Sequence, residues 1–263
     1  MLFGHTRTRF TPHHAFLAPD GHLRTPLPGW SGAEGVILIS PQMGSGPQAR
    51  FIHYLAHLED GGESGPPQPG VERFIFVLDG TVELKVDSRS HLLESRNQGY
   101  AFLPAGTHHT VVARGAARLN VFERYYLPYD AAPPPDIVTG VAREVAGEPL
   151  LGDPDVWVQK LLPERPSFDL AVNIMNFRPG GGLPQVETHQ MEHGIIMLSG
   201  GGIYRLGDDW YPIQKDDVLW MGPYCPQWFG ALGKENASYL LYKDWNRDPF
   251  VLEREAGATG EGG

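Results

Sequence analysis

A pattern that occurs twice constrains this chain more than any single motif does. Residues 72–84 read ERFIFVLDGTVEL and residues 192–206 read EHGIIMLSGGGIYRL. GYAFLPAGTHHTV (99–111) likewise corresponds to DDVLWMGPYCPQWF (216–229), with one residue inserted. Both pairings give nearly the same offset, about 120 residues. One β unit is therefore duplicated in tandem, as a two-unit array and not a solenoid. Asp79-Gly80, set between β-branched and aromatic runs, reads as a tight hairpin. Further runs of this kind are GVILIS (35–40), ARFIHYLAHLE (49–59) and LNVFERYYLP (119–128). Abundant Gly (33) and Pro (24) between such runs predict many short strands joined by tight turns, an all-β chain.

The duplication divides the chain. An irregular arm is expected over 1–35, a first barrel over 36–128, a proline-rich linker over 129–150, a second barrel over 151–253 and a disordered tail over 254–263. His5, His13, His14 and His22 in the arm lack matching acids and read as surface or packing histidines. A formal charge of −10 without a dense Lys/Arg run argues against nucleic acid or an anionic membrane as partner. Cys225 is the only cysteine, which excludes an internal disulfide and a cysteine-based zinc site. No apolar run of signal-peptide or membrane-spanning length opens the sequence, so a cytoplasmic location is expected.

The chemistry concentrates in GGLPQVETHQMEHGIIMLSGGG (181–202). Glu187, His189 and His193 can each donate to a metal, and on a strand all three share one face. Six extended residues nevertheless span roughly 20 Å, too far for one ion. The chain is therefore expected to bend near Met191 and Glu192, leaving Glu187 and His189 on one strand while His193 opens the next. Gln227, in WMGPYCPQWF (220–229), could add an amide oxygen. Two imidazoles, a carboxylate and an amide suit a borderline-to-hard divalent ion such as Mn²⁺ or Fe²⁺. In SYLLYKDW, Tyr239, Leu241 and Lys243 share a strand face; if it looks inward, Lys243 needs an anion.

The spacing from Gly181 through Glu187, His189 and His193 to Gly200 resembles the first cupin motif, with the acid and one imidazole exchanged. The longer string ETHQMEHGIIMLSGGGIYRLGDDWYPIQKDDVLWMGPYCPQWF resembles the (S)-ureidoglycine aminohydrolases, manganese-dependent bicupins. That resemblance implies two tandem antiparallel jelly-roll β-barrels. It implies one Mn²⁺ in the C-terminal barrel, on Glu187, His189, His193 and Gln227. Tyr204, Tyr239 and Lys243 are implied as pocket residues, the last two gripping a substrate carboxylate, with Glu187 doubling as proton carrier. The implied reaction converts (S)-ureidoglycine and water into (S)-ureidoglycolate and ammonia. The first unit has lost this set: Arg73 stands at the position of His193, and His108 and His109 stand near that of Gln227. An Fe²⁺-dependent cupin dioxygenase and a non-catalytic ligand-binding bicupin are the alternatives. A closed homo-oligomer is expected on general grounds.

Overall fold

The computed structural model describes residues 5–41 and 49–248, and the tail expected at 254–263 lies outside them. The first half runs through β1 (Arg9–Phe10), β2 (His14–Leu17), β3 (Thr25–Pro26), β4 (Ser31–Ile39), β5 (Ile52–Glu63) and β6 (Val71–Asp79). It continues with β7 (Thr81–Val86), β8 (Arg89–Glu94), β9 (Gly99–Leu103), β10 (His109–Ala113) and β11 (Ala117–Tyr125). The second half has β12 (Val138–Val141), β13 (Gly147–Leu150), β14 (Asp153–Lys160), β15 (Leu170–Phe177) and β16 (His193–Ser199). After these come β17 (Gly201–Leu206), β18 (Asp209–Gln214), β19 (Val218–Met221), β20 (Gln227–Ala231) and β21 (Ala237–Asp244). The chain is all-β, as the short apolar runs and turn residues require. Among the described residues no helix is long and apolar enough to cross a membrane.

The sequence repeat becomes a repeat of pairing. Antiparallel order β5-β11-β6-β9 in the first half matches β15-β21-β16-β19 in the second. The corners from β6 to β7 and from β16 to β17 fall at Gly80 and Gly200, with φ of 74° and 64°. The strands on either side pair with other strands and not with each other, so the hairpin expected at Asp79-Gly80 is instead a bend that sends the chain to new partners. A Cβ at Gly80 would stand 2.3 Å from the Ala116 carbonyl oxygen, and one at Gly200 2.6 Å from that of Asn236. Both the left-handed backbone and the close approach therefore require glycine there.

Two segments that read as irregular contribute strands across the halves. β2, within the arm, pairs with β19 of the second half, while β12 pairs with β9 of the first. β12 and β13 both fall in the span expected as linker. Four residues, HAFL, are too few to show a period, so only the partner strand reveals β2. His14 opens that strand at 4 % exposure, its Nε2 lying 2.9 Å from the Tyr211 hydroxyl, so this arm histidine is packed.

Three apolar clusters result. One fills each barrel, and a third, holding Phe51, Phe74, Phe122, Val172, Leu240 and Tyr242, lies between them. β21 serves two clusters by alternation: Tyr239 and Leu241 point into the second barrel, Leu240 and Tyr242 into the interface. Phe51 stacks on Tyr242 with ring centroids 4.0 Å apart. Full burial of such rings stabilises by about 1.5–3 kcal/mol each. The strand that carries Tyr239 and Lys243 is thus packed on both faces, a stiff base for a site.

Candidate metal centre

The second barrel opens onto a cavity of about 430 Å³ lined by Glu187, His189, His193, Gln227, Tyr239 and Lys243, among others. His193 opens β16 and Gln227 opens β20, while Tyr204 comes from β17 and Tyr239 and Lys243 from β21. Glu187 and His189 do not lie on a strand, contrary to expectation. Residues 178–192 form an irregular segment touching the sheet at two isolated bridges, Gly182 to Gly230 and Glu187 to Gln227. Glu187 and Gln227 exchange backbone hydrogen bonds of 2.8 and 2.9 Å. Pro184, which has no N–H, helps keep a continuous ladder from forming through the segment. At its end the backbone N–H of Tyr224 donates to the His189 carbonyl at 2.7 Å, from a left-handed φ of 61°. A bulky residue in that conformation costs on the order of 1–2 kcal/mol, so the tie to His189 is held against local strain.

The polar contacts fix the imidazole tautomers. His189 Nδ1 lies 3.1 Å from the Met191 carbonyl oxygen and donates to it. Its Nε2 therefore carries a lone pair, and it accepts from Gln227 Nε2 at 2.9 Å. His193 Nδ1 lies 3.2 Å from Gln227 Oε1 and donates to it. His193 Nε2 is buried with no hydrogen-bond partner. Burial, then the neighbouring His189 and Lys243, push the His193 imidazole well below its ordinary pKa; burial chiefly lowers His189 as well. Two neutral imidazoles thus stand with their rings 4.7 Å apart and Nδ1 anchored on each; the Nε2 lone pair of His193 is free, while that of His189 is taken by the Gln227 amide.

An orphaned imidazole nitrogen beside a second imidazole and an amide oxygen fits a divalent cation. The fit is incomplete at Glu187. Among the described residues no three His, Cys, Asp or Glu side chains group closely enough to hold an ion, so the carboxylate is not drawn in with both imidazoles. It lines the same cavity, where burial raises its pKa and the Lys243 charge opposes the rise.

Further along the wall, Tyr204 and Tyr239 are 1 % and 2 % exposed, and burial drives both phenols upward, so they stay protonated. The Tyr204 hydroxyl lies 3.4 Å from Gln227 Oε1. Lys243 has no carboxylate within ion-pair distance among the described residues; its Nζ rests 4.0 Å above the Trp245 ring. Burial lowers its pKa, against the pull of Glu164 and Glu187. Sequence reasoning passed over Trp245, although an aromatic two positions along the same strand parity was the available signal.

The Cupin domain family matches residues 173–242, a span holding Glu187, His189, His193, Tyr204, Gln227 and Tyr239 and ending one residue before Lys243. The rice (Oryza sativa subsp. japonica) protein named "Probable (S)-ureidoglycine aminohydrolase" is 43 % identical over 253 residues, covering 95 % of this chain and 79 % of its own. The (S)-ureidoglycine aminohydrolase of Arabidopsis thaliana is 41 % identical over 251 residues, with 95 % and 81 % covered. The chain belongs to the (S)-ureidoglycine aminohydrolase family. The crystal structure of protein Ylba from E. coli superposes with a TM-score of 0.80 at 30 % identity, covering 92 % of this chain and 96 % of that one. This likeness and the cupin match make the fold a bicupin.

In this aminohydrolase-family member the first barrel's counterpart site is filled. Arg73 and Glu123 pair as Cα partners across β6 and β11, as His193 and Lys243 do across β16 and β21. Arg73 Nε donates to Glu123 Oε1 at 2.6 Å and its Nη1 to the Gly65 carbonyl at 2.9 Å. The Tyr54 hydroxyl donates to the same Glu123 oxygen, and His109 Nε2 lies 3.0 Å from Arg73 Nη1. The buried Arg73 cation is neutralised by Glu123 at the position where His193 stands in the second barrel.

Proposed function

We propose that this chain hydrolyses (S)-ureidoglycine to (S)-ureidoglycolate and ammonia in the cavity of the second barrel, using one Mn²⁺. Glu187, His189, His193 and Gln227 are the residues assigned to hold it. The observation that carries this reading is the buried, unpartnered Nε2 of His193 beside the His189 lone pair and the Gln227 amide. Nitrogen and oxygen donors of this kind suit Mn²⁺. Glu187 is included because its backbone pairs with Gln227 and its side chain faces the same cavity. When bound, such an ion supplies Lewis acidity and makes water a better nucleophile near neutral pH.

The chain's own residues do the rest. Lys243, half-buried and without an acid at ion-pair distance among the described residues, offers a charge-assisted contact to the substrate carboxylate, and the protonated Tyr239 beside it offers a hydrogen bond. Together they fix the orientation of the reacting carbon. Glu187, whose pKa burial has raised, takes a proton from the incoming water and returns it to the departing amine. One C–O bond forms and one C–N bond breaks, so water and substrate balance product and ammonia.

The direct test is ammonia release from freshly generated ureidoglycine, with protein stripped of metal and then reloaded with Mn²⁺. Release should vanish on stripping and return on reloading. Absence of release from the Mn²⁺-loaded protein would sink the reading.

A further inference from the structure

We propose that Asn173 binds the ureido group of the substrate. The inference rests on the hydrolysis of (S)-ureidoglycine proposed above and adds a specificity-determining residue to it. Asn173 lies on β15, with Leu241 of β21 and Lys160 of β14 as its Cα partners. It lines the cavity together with Tyr239, Leu241 and Lys243. The residue is 6 % exposed and its side-chain amide is bonded to no other described side chain, yet the amide is not sealed off, since it opens onto the cavity. Asn176 on the same strand, by contrast, donates to Gln159 Oε1 at 3.0 Å.

Because the amide opens onto the cavity, water meets it when the cavity is empty, and a ligand that offers a donor and an acceptor together takes that water's place. Of the substrate's groups, the carboxylate has acceptors only and is matched by the Lys243 cation. The ureido group carries N–H donors and a carbonyl acceptor on one planar edge, the complement of a primary amide. The sheet order supports this division. β16, with His193, neighbours β21, with Tyr239 and Lys243, and β15 with Asn173 lies next beyond. Adjacent strands are about 4.8 Å apart, so one small molecule can meet these groups in turn.

The test compares two ligands by calorimetry on Mn²⁺-loaded protein. (S)-Ureidoglycolate carries both ureido and carboxylate groups, while glycolate lacks the ureido group. Asn173→Leu should weaken ureidoglycolate about tenfold or more, the loss of two neutral hydrogen bonds, and leave glycolate within about twofold. Asn173→Asp should retain part of the ureidoglycolate affinity through its remaining acceptor. An amide that gripped the carboxylate would instead make the Asp variant repel both ligands. Equal weakening of the two ligands, or unchanged ureidoglycolate binding in a folded Asn173→Leu protein, overturns the assignment. If Leu unfolds the barrel, Asn173→Ala is read in the same way. Wild-type protein that releases no ammonia from ureidoglycine overturns the hydrolysis and this contact with it. Wild-type activity that survives Asn173→Leu undiminished overturns the contact alone.

Discussion

Arg50 Nη2 lies 2.6 Å from Asp244 Oδ2, an ion pair that joins the start of β5 in the first barrel to the end of β21 in the second. Asp244 Oδ1 in turn accepts the backbone N–H of Glu192 at 2.6 Å, and the backbone N–H of Arg50 donates to both Glu192 carboxylate oxygens at 2.9 and 3.1 Å. Glu192 precedes His193 and Asp244 follows Lys243, and those two face each other across β16 and β21. Directly behind them, a Cβ at Gly194 would stand 2.5 Å from the Phe51 ring, so the neighbour of Arg50 also packs against the neighbour of His193.

Arg50→Ala should therefore act on the site from the other barrel. It leaves the buried Asp244 without its cation at a cost of about 1–3 kcal/mol, below the value for a fully buried pair because the guanidinium is 42 % exposed. Denaturant melts should show that loss, and Arg50→Lys should recover part of it. The change in KM should exceed the change in kcat, since Lys243 is the adjoining group. Wild-type KM in a destabilised Arg50→Ala protein would contradict the link.

In the first barrel, Arg73→Met should destabilise by about 3 kcal/mol, because Glu123 loses the partner that neutralises it. Bound Mn²⁺ per chain, read by elemental analysis, should stay at the wild-type value. A fall in metal content with the fold intact would mean the first barrel holds metal too.

Kinetic variants separate grip from proton transfer. Lys243→Met should raise KM about 10- to 100-fold, the worth of a charge-assisted hydrogen bond, with a smaller effect on kcat. Glu187→Gln should lower kcat about 100-fold. Near-normal turnover in Glu187→Gln with metal bound would remove its proton role.

Chelation should lower the melting temperature as well as activity. Mn²⁺ at a hundred times its Kd adds about 2.7 kcal/mol to a protein that binds it only when folded. His193→Ala should abolish the Mn²⁺-induced shift, and a full shift in that variant would displace His193 from the ligand set.

Acid stability should report on His53, which is fully buried in the first barrel against Asn120. Burial depresses its imidazole to about 3 from the ordinary 6.5. Between those values the unfolded chain binds a proton that the folded chain does not, so stability falls as pH drops from 6.5 toward 3. This one group contributes up to about 1.4 kcal/mol per pH unit in that window. His53→Gln should flatten the slope measured by denaturant melts at pH 4 to 6.5, and an unaltered slope would exclude His53 as its source.

Much of this architecture was legible because the repeat carried it. Gly80 and Gly200 mark equivalent turns, and parity put Tyr239, Leu241 and Lys243 on one face of β21, although only the packing shows that this face looks inward. Gly181, Glu187, His189 and His193 pointed to one neighbourhood, since a ligand motif depends on spacing. Their local conformation was not legible. Whether Glu187 extends a ladder depends on Gln227 forty residues away, and Pro184 and the glycines permit several courses. Asn173 and Arg50 were invisible for a related reason. An asparagine on a strand and an arginine before one are ordinary until distant residues show what surrounds them.

The exchange of β2 and β12 between the halves has a consequence for anyone who cuts this chain. A fragment beginning at residue 129 would keep every candidate ligand yet lose the strand that covers β19, baring a row of backbone donors and acceptors at the back of the pocket. The inheritable module is thus the interlocked pair. The sheet behind the pocket is completed by a strand that the chain lays down before its first barrel begins.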